Sequence, residues 1–310
     1  SGTVKLYRNA HYLPMGFMVN RELLDWEEIR EENSFNPYEK QMEFFRLATG
    51  INAPVYTRVD PSGDEHTDPA SFNVQKTGDN SYSFSCLQSG ITPTLKWNYT
   101  APKDGLYLVS TDIDNGDDFS ILRNGNQQQG TINMDRACIA AAGYFSKGDT
   151  ISVQATLKQD ASGTAKVYLY AFNQDVFERA YEKLSKNVMT TTYFRNGAKM
   201  EGTIRSDTDG LFYTSIPYEK GWKAYVDGKE TAITPVGGSL LAFPLDRGDH
   251  KIVLKYAPNG FWPGLAVSLA CALIFAALCV VIYVRRKKLI PDFAMDPAVT
   301  GEEMIDISES

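Results

Sequence analysis

Histidine and cysteine are scarce in this 310-residue chain, with three and four copies respectively. His11, His66 and His250 show no ligand spacing, which argues against a zinc site. No GxSxG elbow occurs and no histidine has a recognisable partner, so a nucleophilic triad has no support. Four cysteines do not make a disulfide framework. Cys271 and Cys279 fall in a long apolar run, where they act as small apolar residues. Cys86 and Cys138 stand alone, and their spacing leaves a bridge and two isolated buried thiols equally open. Basic excess is also lacking. The net charge is -7, with no basic stripe to neutralise phosphates, which excludes nucleic acid as a partner.

One stretch lacks charge altogether. Residues 261–284 (FWPGLAVSLACALIFAALCVVIYV) contain no ionisable acid or base. At 1.5 Å rise per residue the stretch is about 36 Å long, enough to cross a hydrocarbon core of about 30 Å. Trp262 and Tyr283 stand at its two ends, where amphipathic rings favour the headgroups. Arg285, Arg286, Lys287 and Lys288 follow directly. The positive-inside rule then predicts a cytoplasmic tail and residues 1–260 outside. The first residues carry neither a basic n-region nor an apolar h-region. The expectation is that a removed signal or upstream membrane helices carry this part across.

What is plentiful is aromatic, at 12% with 17 tyrosines, which suits strands and sugar-contacting surfaces alike. Residues 4–19 read as extended, with Pro14 as a break, and Asn20 as the cap of a helix reaching Asn33. A stronger helix starts at Pro37, capped by Asn36 and stopped at Gly50. Residues 51–69 read as loop. From Ser71 the period becomes two: SYSFSCL, TLKWNYTA, GLYLVSTDI, DFSILRNG, TISVQATL and AKVYLYAF are short runs parted by turn residues. They predict an antiparallel sandwich or jelly roll of the carbohydrate-binding-module kind. Asp175 is expected to cap an amphipathic helix to Lys186, with Val176, Phe177, Ala180, Tyr181 and Leu184 on one face. A second β region follows, with Asp227–Gly228 as a hairpin signal. Its strand HKIVLKY ends within five residues of the apolar run, so this region must lie close to the bilayer.

The expected organisation is mainly β with a few helices. A leading strand and helical segment (1–69) precedes a β-sandwich (70–174) and a linking helix (175–190). A membrane-proximal β domain (191–258), a transmembrane helix (259–284) and an acidic, disordered tail (285–310) complete it.

Several segments resemble the bacterial membrane protein YfhO family. They are LYRNAHYLPMGFMV (6–19), NPYEKQMEFFRLATG (36–50), the helix 176–186, GLFYTSIPYEKGWKAYVDGKE (210–230) and LDRGDHKIVLKYAPNGFWPG (245–264). The resemblance spans most of the chain and is weakest in the central sandwich. Members of that family look like GT-C glycosyltransferases, which use a polyprenyl-phosphate sugar. Some are implicated in glycosylating cell-envelope polymers such as lipoteichoic acid. Their catalytic acid lies near the first membrane helices, a region with no counterpart here. The resemblance therefore implies an extracytoplasmic C-terminal domain and last helix, with upstream helices as partners. It transfers no catalytic residue onto this numbering.

Three constellations stand out. Asp112, Asp114, Asp117 and Asp118 form the densest carboxylate cluster, open to a turn reading and to a structural Ca2+, the one cofactor candidate. It fails the EF-hand pattern, since position six is Asp117 and position twelve Arg123. Trp97 and Tyr99 share one face of a strand with Leu95, and read either as core or as a sugar-stacking pair. Trp222 and Tyr225, on opposite faces of a strand, are the other candidates for glycan or protein contact. Asn98–Tyr99–Thr100 matches a glycosylation sequon. The leading expectation is a non-catalytic accessory domain of a membrane glycosyltransferase, covering its active site or holding a teichoic-acid-like acceptor. Its competitors are a single-pass surface protein that binds carbohydrate or protein and, third, an anchored hydrolase.

Overall fold

Turn chemistry draws the strand borders. Asn124–Gly125 and Asp227–Gly228 both take positive φ at each residue, the conformation that tight two-residue hairpins require. The computed structural model describes residues 8–26, 36–127, 132–133, 138–195 and 197–289. In chain order its strands are β1 (Gly16–Val19), β2 (Tyr56–Val59), β3 (Gly63–Asp64), β4 (Phe72–Gly78), β5 (Ser81–Cys86), β6 (Thr94–Thr100) and β7 (Gly105–Ile113). Next come β8 (Gly116–Arg123), β9 (Asn126–Gln127), β10 (Ile132–Asn133), β11 (Cys138–Phe145), β12 (Thr150–Leu157) and β13 (Ser162–Phe172). The second region holds β14 (Thr190–Arg195), β15 (Lys199–Ser206), β16 (Gly210–Pro217), β17 (Trp222–Val226), β18 (Lys229–Thr231), β19 (Leu240–Leu245) and β20 (Gly248–Tyr256). The α-helices are α1 (Pro37–Thr49), α2 (Gln174–Lys186) and α3 (Phe261–Leu289).

Two antiparallel sheets form the expected sandwich. Sheet I runs β10-β8-β12-β6-β3 with β9 on β8, and sheet II runs β11-β7-β13-β5-β4 with β2 on β13. Alternation sends Leu95, Trp97, Ile121 and Val153 inward from sheet I, against Phe84, Val109, Val167 and Leu169 of sheet II. Sheet III, β1-β16-β19, and sheet IV, β14-β15-β20-β17-β18, make a second pair. Phe212 and Phe243 of sheet III meet Ile204, Ile252 and Leu254 of sheet IV in its core. Helices α1 and α2 pack on the other side of sheet III through Leu47, Ala48 and Leu184 against Phe17, Leu211 and Ala242.

Several expectations need correction. The helix drawn from Asn20 is a 3-10 turn, Arg21–Asp25, without a side-chain cap, and its continuation lies outside the described residues. Residues 51–69 hold β2 and β3, four and two residues long, in place of a loop. Helix α2 begins two residues earlier than expected, with Asn173 at the cap position and Asp175 inside the first turn. Sheets III and IV are not built from residues 191–258 alone, because β1 pairs with β16. Gly16 makes that possible: a Cβ there would lie 2.3 Å from the Phe212 ring. By contrast Asn36 caps α1, accepting the Tyr38 N–H (3.1 Å), and Gly50 ends it in the left-handed region. Cys86 is free.

By contacts the chain divides into two compact units, one to Tyr256 and one from Ala257. In the second, α3 is the apolar helix, long enough to cross a membrane. The acidic tail, residues 290–310, lies outside the described residues.

Candidate functional site

Trp97 and Tyr99 do share a face, and that face is the core. Both are fully buried, paired across the ladder with Val153 and Ile151. Neither ring is open to a ligand, and burial pushes the Tyr99 phenol well above its ordinary range. Trp222 is half-buried, its ring 5.1 Å from that of Tyr256. Tyr225, on the opposite face of β17, lies beneath the Lys255 ammonium at 4.9 Å. The two therefore make no common platform. The aspartates at the β7–β8 hairpin do not converge: among the described residues no three His, Cys, Asp or Glu side chains form a metal-ligand set. Asp114 instead accepts the N–H (2.8 Å) and hydroxyl (2.9 Å) of Thr164, and Asp112 lies opposite Lys166. Asn98 sits mid-strand, its side chain accepting the Ser152 hydroxyl at 2.6 Å, so the sequon is built into sheet I.

A better site lies where β13 changes partners. The first half of β13 pairs with β5, from Ser162↔Ser85 to Lys166↔Ser81. On the same edge its second half pairs with β2, from Leu169↔Val59 to Phe172↔Tyr56. At the fork the ladder is bridged by one bond, the Val167 N–H to the carbonyl of Asn80 (3.1 Å). The β4–β5 turn and the β2–β3 loop splay apart there and leave a cleft of about 790 Å³. Its lining includes Arg58, Asp60, Asp64, Asp79, Asn80 and Tyr82.

Arg58 organises the cleft. It donates from Nη1 (2.5 Å) and Nη2 to the two oxygens of Asp79, and its Nε lies 3.2 Å from Asp60. The planar fork matches a carboxylate in this bidentate form, which fixes both groups. Hydrogen bonding to Arg58 holds the Asp79 carboxyl below the usual range. Asn80 is buried with its Nδ2 unpartnered, and it holds a left-handed φ of 52°. A buried amide donor without an acceptor is costly unless something occupies it. Behind the lining residue Asp64, His66 accepts the Lys96 N–H at Nδ1 (3.2 Å), which leaves its Nε2 proton facing Asp64 (3.3 Å). Burial against Trp97 and Tyr82 depresses its pKa, so the ring is neutral. The cleft thus presents donors and acceptors held in fixed positions. The carboxyls with shifted pKa (Glu65, Asp79, Asp149, Glu201 and Asp227) are all held low by cations or hydrogen-bond donors. That is the wrong direction for a general acid at neutral pH.

The sequence profile of bacterial membrane protein YfhO matches residues 1–268. The chain belongs to this family. The uncharacterized protein YfhO of Bacillus subtilis (strain 168) is 29% identical over 122 residues, which are 37% of this chain and 14% of that one. This YfhO-family chain thus matches only a small part of its relative's length. Among solved structures, a family 35 carbohydrate binding module from Clostridium thermocellum is 16% identical, with a TM-score of 0.27. The match covers 38% of this chain and 98% of that one. A Paenibacillus xanthan lyase is 10% identical at 0.25, covering 66% and 25%. Likeness this distant carries no weight for function.

Sequence reasoning passed over the cleft because Arg58, Asp60 and Asp64 lie in the stretch read as loop. The available signal was Tyr56-Thr-Arg-Val59, a short alternating run with β-forming residues.

Proposed function

We propose that this YfhO-family chain is a glycan-holding accessory part of a membrane glycosyltransferase that modifies cell-envelope polymers from a polyprenyl-phosphate sugar. In this reading residues 1–260 lie outside the cell and the tail inside, with Arg285–Lys288 fixing the direction. The chemistry belongs to upstream membrane helices, and the cleft at the β13 fork holds the acceptor. The observation that carries the reading is the cleft itself: it is saccharide-sized, with Arg58 locked by two carboxylates and the Asn80 amide unpartnered. Family membership supports the membrane setting.

The test is calorimetric titration of the full chain in detergent with teichoic-acid fragments, neutral oligosaccharides and a peptide control. Saturable glycan binding that Arg58→Met weakens supports the reading. Absence of saturable heat with every glycan overturns the binding role, and glycan hydrolysis overturns the non-catalytic one. Reading the coding sequence upstream settles the setting: hydrophobic spans there support it, whereas a cleavable signal peptide favours a single-pass surface protein.

A further inference from the structure

The outer face of sheet IV carries a row of like charges. Register places Lys199 opposite Lys255, and Lys255 opposite Lys223. Three lysines therefore cross three neighbouring strands in one line, about 5 Å from one to the next and about 10 Å in all. Like charges directly opposite one another destabilise a sheet. Carboxylates offset the row only at its flanks. Lys199 pairs with Glu201, and Lys223 with Glu230 at 3.2 Å. Lys255, in the middle, has no carboxylate partner among the described residues, only the Tyr225 ring. Beside the row lies the exposed ring of Tyr193, 5.3 Å from the Lys199 ammonium.

Lys255 precedes Phe261, the first residue of the apolar helix, by six positions. Six extended residues span at most about 20 Å, so the chain itself keeps this residue near the bilayer. A cation row with a flanking aromatic ring is the composition that meets phosphate headgroups. We propose that the Lys199–Lys255–Lys223 row docks on anionic phospholipid headgroups of the membrane that α3 enters. The phosphates supply the negative charge the row lacks. This proposal is independent of the glycan reading.

The test is lysine footprinting of the full chain in nanodiscs, with a water-soluble acylating reagent and mass spectrometry. Discs of phosphatidylcholine alone are compared with discs containing phosphatidylglycerol, and Lys147 of the sandwich serves as reference. The expected result is labelling of Lys255 and Lys223 about fivefold slower in the anionic discs, lost again in high salt. A Lys199→Gln/Lys255→Gln variant should lose the protection of Lys223 while the Lys147 rate is unchanged. Equal labelling in the two discs overturns the proposal. So does protection by soluble polyglycerol phosphate in neutral discs that matches the anionic lipid at equal phosphate, which makes a polymer the occupant.

Discussion

The sandwich and the paired sheets III and IV handle charge and chain in opposite ways. The sandwich closes its core from one continuous stretch, residues 56–172, and its cleft arginine is matched by two aspartates. The second pair takes β1 from far upstream and leaves Lys255 facing Lys199 and Lys223. A matched cation positions its neighbours, whereas an unmatched row stores repulsion that an external anion relieves. The same residue types thus serve as scaffold in one half and as contact surface in the other.

The largest effect should come from breaking the second half alone. Gly16→Val drives a side chain into Phe212 and costs about 1–3 kcal/mol, read as a lower denaturant midpoint. Arg58→Met strikes the first half. It removes both donors to Asp79 and should weaken glycan binding about tenfold by calorimetry. His66 sharpens the contrast through pH. Its folded pKa lies below the unfolded value of about 6.5, so the unfolded chain takes up the proton first and stability falls as pH drops below that point. Between pH 7.5 and 5.5 wild type should lose stability that a His66→Gln variant does not lose, measured by denaturation across pH. The smallest effect has the opposite sign. Lys255→Gln should stabilise the lipid-free protein by about 0.5 kcal/mol, since it relieves two cross-strand repulsions.

Local signals carried much of this architecture. The runs at 105–113 and 150–157 coincide with β7 and β12, because alternation and turn residues agree there. The Asn36 cap, the Gly50 stop and the Asp227–Gly228 hairpin are equally local, each set by one or two residues. The cleft was not legible. It depends on Asp79 of one turn meeting Arg58, 21 residues upstream, at a fork that only the pairing of β13 creates. Period two placed Trp97 and Tyr99 on one face but is silent on which face is covered. The row on sheet IV was hidden for a related reason: Lys199, Lys223 and Lys255 become neighbours only through register.

Asn173 ties the two ends of the sandwich together. Its N–H donates to the carbonyl of Val55 (2.8 Å), and its side-chain amide donates to the carbonyl of Pro54 (2.7 Å). The sandwich is therefore an insertion with adjoining ends, spliced into a host body made of β1, α1, α2 and sheets III and IV. The β1 and α1 parts of the host emerge before the insert, yet the host cannot finish folding until the insert has been made, because β1 must wait for β16. The insert has no such dependence. Joining Ala53 to Gln174 through a short linker should leave a smaller protein with the host core intact.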